Sequence, residues 1–250
     1  MDDRLALNRI ALWTGLLPFL VINLSYLGSA LGGHIPLCIP YLEGCTSISS
    51  AGRYGLSYFF FKAGVIPSAV LLAIYWSLTY RWLLQLGDEA NRQVQAMRLL
   101  GVLAAAFLVL YTVFLGSKGN FYNLMRRYGV NLYFAFSGLA QILLLHRLNR
   151  LRERGVARLS QSLLRTKLLL LIALLVVGLA SIPISNFIVD KHRPRNIVEW
   201  NFALLMISYY VVTWRLWVRT GFHATLALSP GDADRPTTRA RDSRNPRSPD

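Results

Sequence analysis

Six blocks of apolar residues, each about as long as a bilayer core is thick, constrain this chain more than any other feature. They cover 10–31, 56–84, 99–116, 128–148, 168–184 and 198–218. A helix rises 1.5 Å per residue, so roughly 20 residues cross the ~30 Å hydrocarbon layer. Lipid offers no partner to backbone N–H and C=O groups, and each block is therefore expected to be an α-helix. The predicted fold class is all-α, a polytopic membrane bundle of six transmembrane helices within residues 1–222. Only 16% of the residues are charged, against about 25% in soluble domains, which argues against a soluble alternative. The first block exceeds the 7–15-residue apolar region of a signal peptide. It is expected to be retained, although Gly28-Ser29-Ala30 would suit cleavage.

The formal net charge is +15. Basic patches bind phosphate backbones, but these arginines lie between the apolar blocks and in the tail, so no nucleic-acid partner is expected. With the N-terminus inside, one side of the bundle carries 19 Lys and Arg and the other 7, and Lys62 falls within the second block. The positive-inside rule then places both termini in the cytoplasm, and the expected location is the plasma (bacterial inner) membrane. Residues 229–250 contain no Ile, Leu, Val or aromatic residue, so 223–250 is expected to be a disordered cytoplasmic tail. The segment 149–166 mixes leucines with arginines. It reads equally as a short helix on the inner leaflet or as an extension of the fourth helix.

This orientation puts Cys38 and Cys45 on the extracytoplasmic side, where disulfides persist. A bridge between them would add about 2–3 kcal/mol by the loop-entropy estimate. Two cysteines alone do not make a zinc site. The four histidines are scattered over both sides, so neither a metal nor another cofactor is expected. The G-x-S-x-G, H-E-x-x-H and phosphate-loop patterns are also absent from the sequence.

Ionisable residues within spans are functional candidates. Lys62 lies about six residues inside the second block. It either snorkels to the headgroups or pairs with Glu199, which enters the sixth block from the same side. Pro67 lacks a backbone N–H and crowds the carbonyl four residues back, so a kink is expected beside Lys62. Gly64 and Ser68 form a small-xxx-small pair suited to close helix approach. Trp76, Trp82, Trp200, Trp214 and Trp217 read as an interfacial belt. The stretch Asp190-Lys-His-Arg-Pro-Arg195 reads as a solvated loop or as a phosphate-binding one.

Three stretches carry a family resemblance. They are Tyr41-Leu-Glu-Gly-Cys45-Thr-Ser47-Ile48-Ser49, Phe61-Lys62-Ala-Gly-Val-Ile-Pro67 and Glu199-Trp200-Asn201. Together they resemble bacterial members of the Frag/DRAM/Sfk family over about residues 7–220. That family includes the damage-regulated autophagy modulators and a Golgi factor that remodels GPI anchors. The resemblance implies six membrane helices. It transfers no catalytic residue set, and the GPI role does not carry over to bacteria, which lack such anchors.

These readings converge on one expectation: a non-catalytic protein that recognises or organises membrane lipid at the outer leaflet. Its polar pocket would be formed by Ser47, Ser49, Lys62 and Glu199, with Glu43 and Arg53 nearby. The alternative is a lipid-remodelling enzyme for acyl or headgroup transfer, with Ser47 or Ser49 as nucleophile and His34 or Glu43 as base. A transporter is the third reading.

Overall fold

A computed structural model describes residues 4–5, 7–187 and 192–225, with no side-chain description for 4–5, 182–187 and 224–225. Among these residues the architecture is all-helical apart from one two-residue bridge. The long helices are α1 (Asn8–Leu31), α4 (Gly55–Gln85), α5 (Arg92–Phe114), α6 (Asn120–Glu153), α7 (Gln161–Phe187) and α8 (His192–Thr220). Two single-turn helices, α2 (Pro40–Glu43) and α3 (Ile48–Ala51), lie between α1 and α4. All six long helices are long and apolar enough to cross a membrane, so the chain has the build of a multi-pass membrane protein. Strands β1 (Arg4–Leu5) and β2 (Ala224–Thr225) pair antiparallel and bring the two ends of the described chain together. The predicted disordered tail, 223–250, begins inside the described residues, where Ala224–Thr225 is paired as β2; 226 onward lies outside them.

Each long helix packs against two neighbours in the circular order α1, α4, α5, α6, α7, α8. Lipid is as apolar as the side chains, so close packing and interhelical hydrogen bonds must hold such a ring together. The expected close approach at Gly64 is present. A Cβ there would overlap Val21 of α1, and the Ser68 hydroxyl donates to the Gly64 carbonyl at 2.8 Å. Helix α4 runs unbroken through Pro67. At the end bearing the chain termini, Tyr75 donates to Thr213 (2.9 Å), Trp82 Nε1 to Thr220 (2.9 Å) and Tyr209 to the Gln141 carbonyl (2.7 Å). Each such bond contributes about 0.6–2 kcal/mol in a membrane interior.

The structure corrects two expectations and decides one that was open. The tryptophans do not form an interfacial belt, because Trp76, Trp82, Trp200 and Trp217 are among the most deeply buried side chains. Trp76 and Trp217 pack on Tyr75, Trp82 packs on Trp217, and Trp200 packs on Tyr26 and Tyr41, where offset and edge-on ring contacts add to burial. Segment 149–166 follows the second of its two readings, an extension of the fourth helix, and forms no separate surface helix. Helix α6 continues to Glu153 and α7 begins at Gln161, with Leu151, Leu159 and Leu164 buried in the core. Two of the basic residues counted on the cytoplasmic side between the blocks, Arg147 and Lys167, are buried instead of exposed. Arg147 is ion-paired with Asp88. The Lys167 ammonium nitrogen donates to Thr213 Oγ1 at 2.7 Å and sits 3.2 Å from the Tyr209 ring centroid.

Candidate functional site

The chain from Cys38 to Ala51 is built as a rigid cover over one end of the ring. Pro40 opens α2 with its fixed φ, and Gly44 closes it at φ +61°, a backbone region that favours glycine. A side chain at 44 would also strike the Arg193 carbonyl of α8. Cys38 and Cys45 are disulfide-bonded across α2, with their Cα atoms 6.5 Å apart. Ser47 caps α3 by accepting from the Ser50 N–H at 3.1 Å.

Helix α8 then clamps this segment through three side chains that donate to its carbonyls. Asn196 bonds Gly44, Trp200 Nε1 bonds Thr46 and Asn201 bonds Tyr41, at 2.8, 2.9 and 2.8 Å. Helix α1 holds it from the other side. The Cys38 N–H donates to the Tyr26 hydroxyl, which donates back to the Cys38 carbonyl, both at 2.7 Å. Asn23 and Tyr41 exchange hydrogen bonds at 3.0 and 3.1 Å. Burial pushes the Tyr41 phenol above its ordinary pKa, and the bond with Asn23 opposes part of that shift. Two of the three stretches carrying the family resemblance, 41–49 and 199–201, are therefore in direct contact.

Beside the cover lies a cavity of about 840 Å³. Arg126 and Arg127 enter it from α6, and His192, Arg195 and Glu199 from α8. Ser47 and Ser49 line it from the head of α3, with their hydroxyl oxygens 3.2 Å apart. Glu199 lies against the backbone N–H groups of Ile48 and Ser49, and Asn131 completes the polar wall. The apolar lining is led by Phe134 and Phe202, edge to face with centroids 5.0 Å apart. Among the described residues, the only ion pair is Asp88–Arg147; there the three cavity arginines form none, and the one carboxylate beside them in the lining is Glu199, which feels the charge of Arg195.

The candidate residues named from sequence divide between this cavity and other places. Ser47, Ser49 and Glu199 meet in it. Lys62 does not, nor does it pair with Glu199. Its ammonium bonds the Tyr58 hydroxyl at 2.6 Å and the Val113 carbonyl near the C-terminal end of α5 at 3.1 Å, where a cation is favoured by the helix dipole. Arg53 lies near Arg126 without lining the cavity. Glu43 accepts from the Ile39 N–H at 2.7 Å within its own turn, and His34 stacks on Tyr54. Neither candidate base is among the residues that line the cavity with the serines.

The arginine pair 126–127 was legible in sequence only as flanking charge. Nothing local distinguishes a lining arginine from a solvated one. His192 and Arg195 belong to the basic stretch already noted, but they form the first turn of α8 and not a loop. Asp190 and Lys191 lie outside the described residues. Among the described residues, no group of three or more His, Cys, Asp or Glu gathers in metal-binding geometry. No family model, curated protein or solved structure matches the chain.

Proposed function

We propose that this is a Frag/DRAM/Sfk-type protein of the plasma (bacterial inner) membrane that recognises or organises lipid at the outer leaflet. Both termini lie in the cytoplasm, and the cavity beneath the disulfide-closed cover holds an anionic headgroup. One observation carries this reading. Three arginines without a carboxylate partner among the described residues face a cavity that also has an apolar wall. Guanidinium groups match phosphate oxygens in charge and geometry, and Phe134 and Phe202 offer the apolar surface that the lipid adjoining a headgroup requires. The charge asymmetry of the chain supports the orientation. The family assignment rests on the resemblance of stretches 41–49, 61–67 and 199–201.

The site has the equipment of a receptor. Ser47 is engaged as a helix cap and its hydroxyl meets that of Ser49. An acyl-transfer nucleophile needs a hydrogen bond to an activating base, and among the described residues His192 and Glu199, which share the cavity, make none to either serine hydroxyl. The test is to identify lipids that co-purify with the protein, by mass spectrometry, in the unmutated form and in Arg126→Gln plus Arg195→Gln. The unmutated protein should retain anionic phospholipid and the variant should lose most of it. Equal retention by both would refute the reading.

A further inference from the structure

We infer that the bound headgroup is a phosphodiester that is net negative and carries free hydroxyl groups. This inference rests on the lipid reading above and narrows it to a headgroup class. The cavity arginines outnumber its carboxylate three to one, so the site is cationic whether or not Glu199 holds a proton. It therefore favours a net anion over a zwitterion, whose own cation would face the guanidinium groups of Arg126, Arg127 and Arg195.

Arginine alone does not describe the lining. Glu199, Ser47, Ser49 and Asn131 present a mixed set of acceptors and donors on the same wall. A phosphate monoester brings concentrated negative charge and acceptor oxygens, so it would oppose Glu199. An ammonium only donates; it suits the carboxylate and the serine and asparagine oxygens but leaves the hydroxyl and amide N–H donors of Ser47, Ser49 and Asn131 without an acceptor. A hydroxyl both donates and accepts, and so fits every member of the set. The volume of about 840 Å³ lies within the range of small-molecule pockets, roughly 300–1,000 Å³, and leaves room for more than a phosphate ion. The expected placement puts the phosphodiester on Arg126, Arg127 and Arg195, and the hydroxyls on Glu199 and the Ser47–Ser49 pair.

The experiment titrates the purified full-length protein in detergent and reads bound lipid by native mass spectrometry. The probes are phosphatidylglycerol, phosphatidic acid and phosphatidylethanolamine with matched acyl chains, plus soluble glycerophosphoglycerol. A hydrogen bond to a charged group is worth about tenfold in affinity. Phosphatidylglycerol should therefore bind about tenfold more tightly than either other lipid. Glu199→Gln should cut its preference over phosphatidic acid to about twofold or less, while Arg126→Gln should weaken both anionic lipids together.

Equal or tighter binding of phosphatidic acid, or a Glu199→Gln protein with unchanged preference, overturns the hydroxyl inference and leaves the lipid reading standing. Phosphatidylethanolamine binding as well as phosphatidylglycerol overturns the net-anion half. If glycerophosphoglycerol binds as tightly as the lipid, the headgroup inference holds and the lipid reading falls. If no probe binds, both fall. Should Glu199→Gln fail to fold, the ranking of the three lipids by the unmutated protein decides the matter alone.

Discussion

Replacing Arg147 with Met should be among the most damaging single changes in the bundle. The guanidinium is paired with Asp88 through two contacts, Nη2 to Oδ1 and Nε to Oδ2, the latter at 3.0 Å, and Nη1 reaches Gln93 Oε1 at 3.2 Å. The two side chains are 3% and 0% exposed, so solvent cannot take over either charge. Asp88 sits in the turn between α4 and α5, and the pair therefore staples that turn to α6. Arg147→Met removes the cation and leaves Asp88 buried, with the Glu89 N–H at 2.9 Å as its remaining donor. Stranding one member of a buried pair costs about 3–5 kcal/mol. For a chain of this size that corresponds to a fall of roughly 6–20 °C in melting temperature.

The double variant Arg147→Met, Asp88→Leu removes both charges, and an apolar pair of similar volume is often neutral or stabilising. It should return to within about 1 kcal/mol of the parent by that reasoning. The assay is reversible unfolding in mixed micelles followed by tryptophan fluorescence, with Trp82 and Trp217 as core reporters. A single-variant loss below about 1 kcal/mol, the range of exposed pairs, would refute the buried-pair argument. So would a double variant as unstable as the single one.

Three further outcomes are expected. Thr213→Val removes the shared acceptor of Tyr75 and Lys167 and should cost about 1–3 kcal/mol, more than Lys167→Met, which keeps volume and removes the buried amine; the same unfolding assay ranks them. Reducing Cys38–Cys45 should lower stability by about 2–3 kcal/mol yet leave the cover seated, because Asn196, Trp200 and Asn201 still clamp it; protease protection of 38–51 with and without reductant reads this. Lys62→Met should leave bound lipid unchanged and cost about 1 kcal/mol or less in stability, since it loses only the Tyr58 and Val113 contacts; a loss of lipid would return Lys62 to the site.

How far the site was legible depends on the range of the forces involved. Ser47, Ser49 and Glu199 could be picked out because polar groups at the edge of an apolar block are conspicuous one residue at a time. Lys62 was equally conspicuous, but depth along a helix does not say which way a side chain faces. Its partner lies on α5, not α8. Arg126 and Arg127 went unread as site residues because a flanking arginine has the same local pattern whether it points at water or at a cavity. The tryptophans were misplaced for a related reason: nearness to a span end does not separate a residue facing lipid from one facing another helix.

The sequence by itself determined the six spans and the helical state of each, because the need to satisfy backbone hydrogen bonds in lipid acts within one segment and can be read from length and apolarity. It also supplied the cysteine pair, whose short separation nearly forces the two residues together. Only the tertiary structure decided which polar groups share a space. That depends on the rotation of each helix about its axis and on the circular order α1, α4, α5, α6, α7, α8. Both are set by contacts between residues far apart in the chain, such as Trp200 with Thr46 and Arg147 with Asp88. These same contacts placed two charges in the core and three arginines around one cavity.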